Sequence, residues 1–157
     1  RFGRHSGELL VEPKGPMADL EGVILAAVED YRQAVPTDPG HPYLADRPER
    51  LGLSIWGVAM EAQGHQLAHI HPSAWLSGVY YPKIPDVIAD NDPDHAGWIE
   101  FGRAPDDFSV TRDPDVRLIK PEEGLMVLFP SYFYHRTIPF QSDELRISIA
   151  FDVLALD

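Results

Sequence analysis

The sequence predicts a mainly β domain, built as a sandwich, barrel or jelly roll, with one packing helix ahead of it. Three observations carry that expectation. About seven short strand-like runs are separated by turn signals. Only one segment shows helical periodicity. Fifteen prolines and 12 glycines in 157 residues favour many turns over long helices.

Taken in order, the helix is expected over 19–34. There Leu20, Val23, Ile24, Ala27, Val28 and Tyr31 recur at three- and four-residue spacing, Asp19 is placed to cap the N-terminus, and Pro36 lies just past the end. Residues 36–50, rich in Pro, Asp and Gly, read as a loop. Strands are expected over 51–60, 66–71 and 74–81, with Pro72 and Ser73 as a kink between the last two. The stretch 82–96 carries Pro and Asp throughout and reads as a loop, either a lid or a solvated segment. A short strand follows at 97–101, then irregular chain to 114. Runs 116–119 and 125–129 flank Pro121-Glu122-Glu123-Gly124 and read as a hairpin. The last strand, 145–154, alternates Ile147, Ile149, Phe151 and Val153 with Arg146, Ser148, Ala150 and Asp152. The whole of 1–157 is read as one domain, with a helical lead-in over about 16–36 and a β core over about 51–155.

Composition removes several function classes. A net charge of −12 argues against a nucleic-acid-binding surface. With no cysteine, disulfides and thiolate metal sites are excluded, so any metal falls to His, Asp or Glu. No apolar run reaches the roughly 18 residues of a membrane helix. The chain opens on Arg1 rather than Met, so the lack of a leader-like stretch says little, and the cytoplasm is simply the default expectation.

Of the seven histidines, His69, His71 and His135 adjoin apolar, strand-forming sequence, whereas His5, His41, His65 and His95 lie in loop-like or polar surroundings and are expected at the surface. His65 shares strand parity with His69 and His71, which sit one residue apart and so aim to one face of a strand. Three imidazoles suit Fe, Zn, Cu or Ni, and a facial set with open positions is the pattern of non-haem Fe(II) oxygenases. Unmetallated histidines packed in a sheet are the plain alternative.

On the final strand Arg146 and Ser148 share the face opposite Ile147, Ile149 and Phe151. A buried Arg is costly unless paired. Either a protein carboxylate such as Glu100 or Asp152 pairs with it, or an anionic ligand does, since the planar guanidinium matches a carboxylate bidentately. Trp75, Trp56 and Tyr134, with Tyr132 and Phe133, are candidates for a substrate pocket, against the alternative that they are core.

The runs His69-Ile-His-Pro-Ser-Ala-Trp-Leu-Ser-Gly-Val-Tyr-Tyr81, Gly124-Leu-Met-Val-Leu-Phe-Pro-Ser-Tyr-Phe-Tyr-His135 and Arg146-Ile-Ser-Ile-Ala-Phe151 resemble a bacterial family of 2-oxoglutarate- and Fe(II)-dependent oxygenases. The resemblance covers about residues 53–153. It implies a double-stranded β-helix, or jelly roll, with helices outside the larger sheet, and a distant kinship with prolyl-hydroxylase-like oxygenases. It implies Fe(II) on His69 and His135, and 2-oxoglutarate with its far carboxylate on Arg146, supported by Ser148 and Tyr81. Ser77, of the same parity as Tyr81, is read as lining that pocket. At His71 the wider superfamily carries Asp or Glu. Three explanations stay open there: Zn or Ni in place of Fe, a carboxylate from elsewhere in the chain, or a His71 that does not touch the metal. Strand parity favours His71 as a ligand.

The resulting expectation is a dioxygenase that hydroxylates a small-molecule or peptidyl substrate, with no nucleic acid or membrane partner and with a homodimer open through an exposed sheet edge. The alternatives are a non-catalytic cupin-like metal- or ligand-binding protein, and a three-His dioxygenase that does not use 2-oxoglutarate.

Overall fold

A computed structural model describes residues 3–45 and 47–157. Among them lie seven strands and one helix: β1 (Arg4–Glu8), α1 (Met17–Ala34), β2 (Leu51–His69), β3 (Leu76–Lys83), β4 (Ile99–Phe101), β5 (Arg117–Ile119), β6 (Met126–Pro130) and β7 (His135–Ala155). The strands pair antiparallel in the order β1-β2-β7-β3-β6, with β4 joining β7 and β5 joining β4. This is the expected mainly β jelly roll. The two long strands, β2 and β7, pair along their whole length and link all the others into one seven-stranded sheet. The far half of β7 lies against β3, from Lys83 opposite Ile147 to Leu76 opposite Val153. Its near half lies against β4, with Thr137 opposite Ile99 and His135 opposite Phe101.

Three expected elements come out differently. Run 51–60 and residues 66–69 of run 66–71 belong to one strand, which is kept continuous past Gly64 by register shifts at Met60/Ala62, Gly64/Gln66 and Gln66/His69 and ends at His69, so that Ile70 and His71 lie beyond it. Such irregularities bend a strand without ending it. Likewise β7 begins at His135, ten residues before the alternating run. Finally, 116–119 and 125–129 form no hairpin: β5 pairs with β4, and β6 pairs with β3. The turn before β6 is claimed by β3 instead, because Gly124 N–H donates to Tyr81 O and Tyr81 N–H donates to Leu125 O.

The helix begins two residues earlier than its periodicity suggests. Pro16 occupies the N-cap without a side-chain hydrogen bond, and Asp19 lies in the first turn rather than at the cap. Its charge there complements the helix dipole. At the other end, Arg47 donates to the carbonyls of Arg32 and Val35 and so satisfies groups the helix leaves open. Ile24 and Val28 are buried against Ile55, Leu76, Phe151 and Val153 of β2, β3 and β7, flanked by Leu20 and Tyr31. Val23, read as part of the apolar stripe, is exposed. Full burial of each aliphatic side chain contributes about 1.5–3 kcal/mol, so this contact holds α1 on the outer face of the sheet and leaves the inner face to a cavity. No helix among the described residues is long and apolar enough to cross a membrane.

The loop 82–96 is packed rather than loose. Pro85 and Ile88 are buried, Asp86 N–H donates to Glu144, Lys120 pairs with Asp90 at 2.8 Å, and the Trp98 indole donates to Ala89 O.

Gly78 shows how tightly the outer face is built, since a Cβ there would lie 2.1 Å from the Phe151 ring. Gly78→Ala is expected to destabilise the fold by about 1–3 kcal/mol, the usual range for forced overpacking. Denaturant unfolding measures it, and an unchanged midpoint contradicts the packing.

Candidate metal centre and adjoining cavity

His69 closes β2 and His135 opens β7, and the two stand directly opposite each other in the ladder. His71 follows two residues after His69, its backbone N–H tied to Ser131 O at 3.0 Å. The three rings converge: one ligand atom from each lies within 4.8 Å of the others. Ring centroids are 4.3 Å apart for His69 and His135, 5.1 Å for His69 and His71, and 5.2 Å for His71 and His135.

Each ring is oriented through Nδ1. That atom donates to Leu67 O at 2.7 Å in His69 and to Phe133 O at 3.0 Å in His135. In His71 it donates to the Asp152 carboxylate, at 2.8 and 3.1 Å. All these partners are acceptors, so each Nδ1 carries a hydrogen and the neutral ring presents its lone pair on Nε2, the tautomer a metal ligand needs. Burial, followed by the neighbouring His69 imidazole, pushes His135 down to about 3, which keeps it neutral and able to ligate at neutral pH. Trp56 stacks on His71 with ring centroids 5.9 Å apart, and Phe129 lies 4.6 Å from His135.

The cluster opens on a cavity of about 460 Å³ on the inward face of the sheet, and Tyr81, Arg146 and Ser148 line it as well. Strand alternation puts them there. Trp56, Val58 and Met60 of β2 stand opposite Ala150, Ser148 and Arg146 of β7 on the inward face. Arg146 is only 1% exposed and Tyr81 only 2%. The guanidinium donates from Nη1 to Gly97 O at 2.6 Å and lies over the Tyr81 and Phe140 rings, 5.5 and 5.3 Å from their centroids, contacts that attract a cation. Burial pulls Arg146 down from its ordinary value, while the Tyr81 hydroxyl, close enough to interact by charge and hydrogen bond, opposes that shift.

Among the described residues no carboxylate pairs with Arg146. The two candidates are used elsewhere: Glu100 accepts from Arg103 and Arg136, and Asp152 accepts from His71 and Ser77. Four buried side-chain polar atoms lack a hydrogen-bond partner among these residues, and two of them are His71 Nε2 and Arg146 Nε, both on cavity-lining side chains. One suits a cation and the other an anion, so the residues fit a metal together with an acidic co-substrate.

Not every expected site residue is in the cavity. Ser77 faces inward as its parity requires, but it stands opposite Asp152 in the ladder and donates its hydroxyl to that carboxylate at 2.7 Å, away from the cavity wall. Trp56 lines the cavity. Trp75 instead packs under the helix against Tyr31 and Tyr43. Tyr134 faces an apolar groove beyond the cavity and meets Phe108. The cavity wall also includes Val79, Ile99, Phe129 and Thr137, of which Val79 and Thr137 share parity with Tyr81 and His135. His5, expected at the surface, is exposed and also borders the cavity, because β1 pairs along β2 with His5 opposite Val58.

Residues 54–152 match the family described as "Putative 2OG-Fe(II) oxygenase". No curated protein matches the sequence. Among solved structures, the chain is similar to HygX from Streptomyces hygroscopicus with nickel and 2-oxoglutarate bound (13% identity, TM-score 0.64, covering 99% of this chain and 70% of that one). It is also similar to a Pseudomonas putida prolyl-4-hydroxylase (15%, 0.55, 99% and 72%). A third is an oxidoreductase of the 2OG-Fe(II) oxygenase family from Burkholderia pseudomallei (13%, 0.50, 71% and 48%). The chain thus spans about half the length of the Burkholderia protein. At these identities the likenesses speak to the fold.

Next to His135, Glu100 of β4 pairs with Arg136 of β7 at 2.6 Å and with Arg103, just past the end of β4, at 2.9 Å. Burial by itself raises the Glu100 carboxyl, but hydrogen bonds from the two arginines and their charges outweigh it and hold it below its ordinary 4.5. A depressed folded value means stability that is present above the ordinary range and lost as pH falls through the folded value. Glu100→Gln is therefore expected to cost about 1–3 kcal/mol at neutral pH, and the gap should narrow in acid, where the native glutamate is itself protonated. Unfolding midpoints across pH test it; a gap of constant size rules out the ionic contribution.

Proposed function

The chain belongs to the family of 2-oxoglutarate- and Fe(II)-dependent oxygenases, and from that premise we propose that it hydroxylates an organic substrate in the cavity beside the three histidines. Nε2 of His69, His71 and His135 would hold the iron. The same donor set also accepts Zn or Ni, and family membership favours Fe(II). Bound Fe(II) and 2-oxoglutarate together supply the oxidising chemistry, in which dioxygen is consumed, the 2-oxo acid becomes succinate and carbon dioxide, and a substrate C–H bond gains an oxygen atom.

The observation that carries the co-substrate assignment is Arg146: a guanidinium 1% exposed, on the cavity wall, with no carboxylate among the described residues and with Nε unpartnered. A carboxylate from the co-substrate would complete it with parallel N–H donors. The Tyr81 and Ser148 hydroxyls beside it add donors to the same oxygens. Trp56, Val58, Ile99 and Phe129 wall the cavity with apolar surface and keep water from the reacting centre. A volume of about 460 Å³ suits the co-substrate together with a small metabolite or a single peptidyl side chain.

Arg146→Met keeps the bulk of the side chain and removes the charge. It is expected to retain metal binding and to weaken 2-oxoglutarate binding by about 2–5 kcal/mol, the cost of breaking one side of a buried charge pair, with succinate formation falling in parallel. Calorimetry on the metal-loaded protein and a succinate assay read the two effects. Unchanged 2-oxoglutarate affinity in the variant would remove Arg146 from the role of anchor.

A further inference from the structure

We propose that Asp152, fixed in place by Ser77, is a positioning residue that supplies through His71 the negative charge that three neutral imidazoles withhold from a bound metal dication. The inference rests on the three-histidine metal reading and adds to it a residue outside the ligand set.

The three Nδ1 partners are not equivalent. His69 and His135 each donate to a backbone carbonyl two residues earlier in the chain, a neutral and local acceptor. The His71 Nδ1 faces a carboxylate, 81 residues away in sequence. Both Asp152 oxygens lie within reach of its Nδ1, at 2.8 and 3.1 Å. Oδ1 also accepts the Ser77 hydroxyl at 2.7 Å, and Ser77 is only 1% exposed. The His71 and Asp152 side chains are 16% and 14% exposed, so the pair is largely shielded from water and its charge is little screened. His71 Nε2 is buried without a partner. The line Ser77–Asp152–His71 therefore ends on the lone pair that would meet the metal.

A carboxylate behind a ligating imidazole fixes the tautomer and ring orientation and raises the basicity of the coordinating nitrogen. In this chain it also supplies charge. His69, His71 and His135 bring none to a dication, and Asp152 is not within the group of side chains that converge on the site. Its charge reaches the metal across one imidazole. Ser77 holds one oxygen from directly across the ladder, where Ser77 and Asp152 are cross-strand partners, so the carboxylate cannot turn away from His71 without breaking that bond. The position of His71 is fixed independently by the Ser131 carbonyl and by the Trp56 ring.

The test is metal affinity of the full chain, with Co(II) as the probe and a competing chelator, alongside the visible spectrum of the Co(II) form. Asp152→Asn keeps the shape and a hydrogen-bond acceptor and removes the charge. It is expected to weaken Co(II) binding by about 10- to 100-fold and to shift the Co(II) bands, while the metal-free protein melts like the parent. Ser77→Ala is expected to give a smaller loss in the same direction. An Asp152→Asn protein that binds Co(II) as the parent does overturns the proposal, even if Asp152→Ala binds weakly, because shape rather than charge would then explain Asp152. A parent chain that binds no Co(II) fails the three-histidine reading itself, and the relay with it; a parent that binds while Asp152→Asn is unaffected fails the relay alone.

Discussion

The pairing of β2 with β7 is the constraint on which the rest of this structure depends. Strands of 19 and 21 residues stay hydrogen-bonded from Leu51 opposite Ala155 to His69 opposite His135. The same ladder that closes the jelly roll therefore measures the spacing between its functional groups. It sets Ser54 against Asp152, Val58 against Ser148 and Met60 against Arg146. Side chains alternate with period two, so a slip of one residue would turn Arg146 and Ser148 outward and bring Ile147 and Ile149 in. Packing of Ile24 and Val28 of α1 on Ile55, Phe151 and Val153 opposes that slip from the other face. The helix touches neither the histidines nor Arg146, yet it secures the register that aims them.

What the sequence revealed was whatever depends on alternation alone. Arg146 and Ser148 inward and Phe151 and Val153 outward follow from period two; His71, past the end of β2, joins His69 through its hydrogen bond to Ser131 instead. What stayed hidden depends on partners far along the chain. Residues 135–144 contain Pro139 and the polar run Gln141 to Glu144, which reads as a break between strands, and only pairing with β2 and β4 keeps it extended. The turn at Gly124 looks local, but hydrogen bonds to Tyr81 take it from the expected hairpin. Ser77 shows the same limit at a single residue: its parity is legible, but the carboxylate directly across the ladder that takes its hydroxyl is not. Trp56 and Trp75 differ for a related reason. Trp56 lies on the inward face of β2 beside Ala150, whereas Trp75 precedes β3 and is drawn under α1 by Tyr31 and Tyr43.

Charge is sorted inside a chain that carries a net −12. Glu100 is committed to Arg103 and Arg136, and Asp152 to His71. Neither is spent on Arg146, whose partners among the described residues are the Gly97 carbonyl, the Tyr81 hydroxyl and two aromatic faces. A buried cation without a counter-ion is unfavourable, and the fold sustains it because the strands around it are fixed by other contacts. In the proposed reading a carboxylate entering the cavity relieves that cost, so the desolvated arginine contributes to the affinity for an acidic ligand.

In the proposed reading this has a consequence for selectivity. The ligand must meet the histidine cluster at one end and the guanidinium at the other, and both are set on β7, at His135 and Arg146. They are eleven residues apart in sequence but brought to one cavity across the register shifts at Met60/Ala62 and Gly64/Gln66 in the partner strand. Since those shifts are held by the pairing itself, the distance between the two ends cannot adjust without disturbing the ladder. An acid of the wrong length would satisfy one end and leave the other desolvated and unpaired, the kind of mismatch that costs several kcal/mol. The rigidity of a strand pair, more than the identity of any one side chain, is then what selects a dicarboxylic co-substrate over a monocarboxylic one.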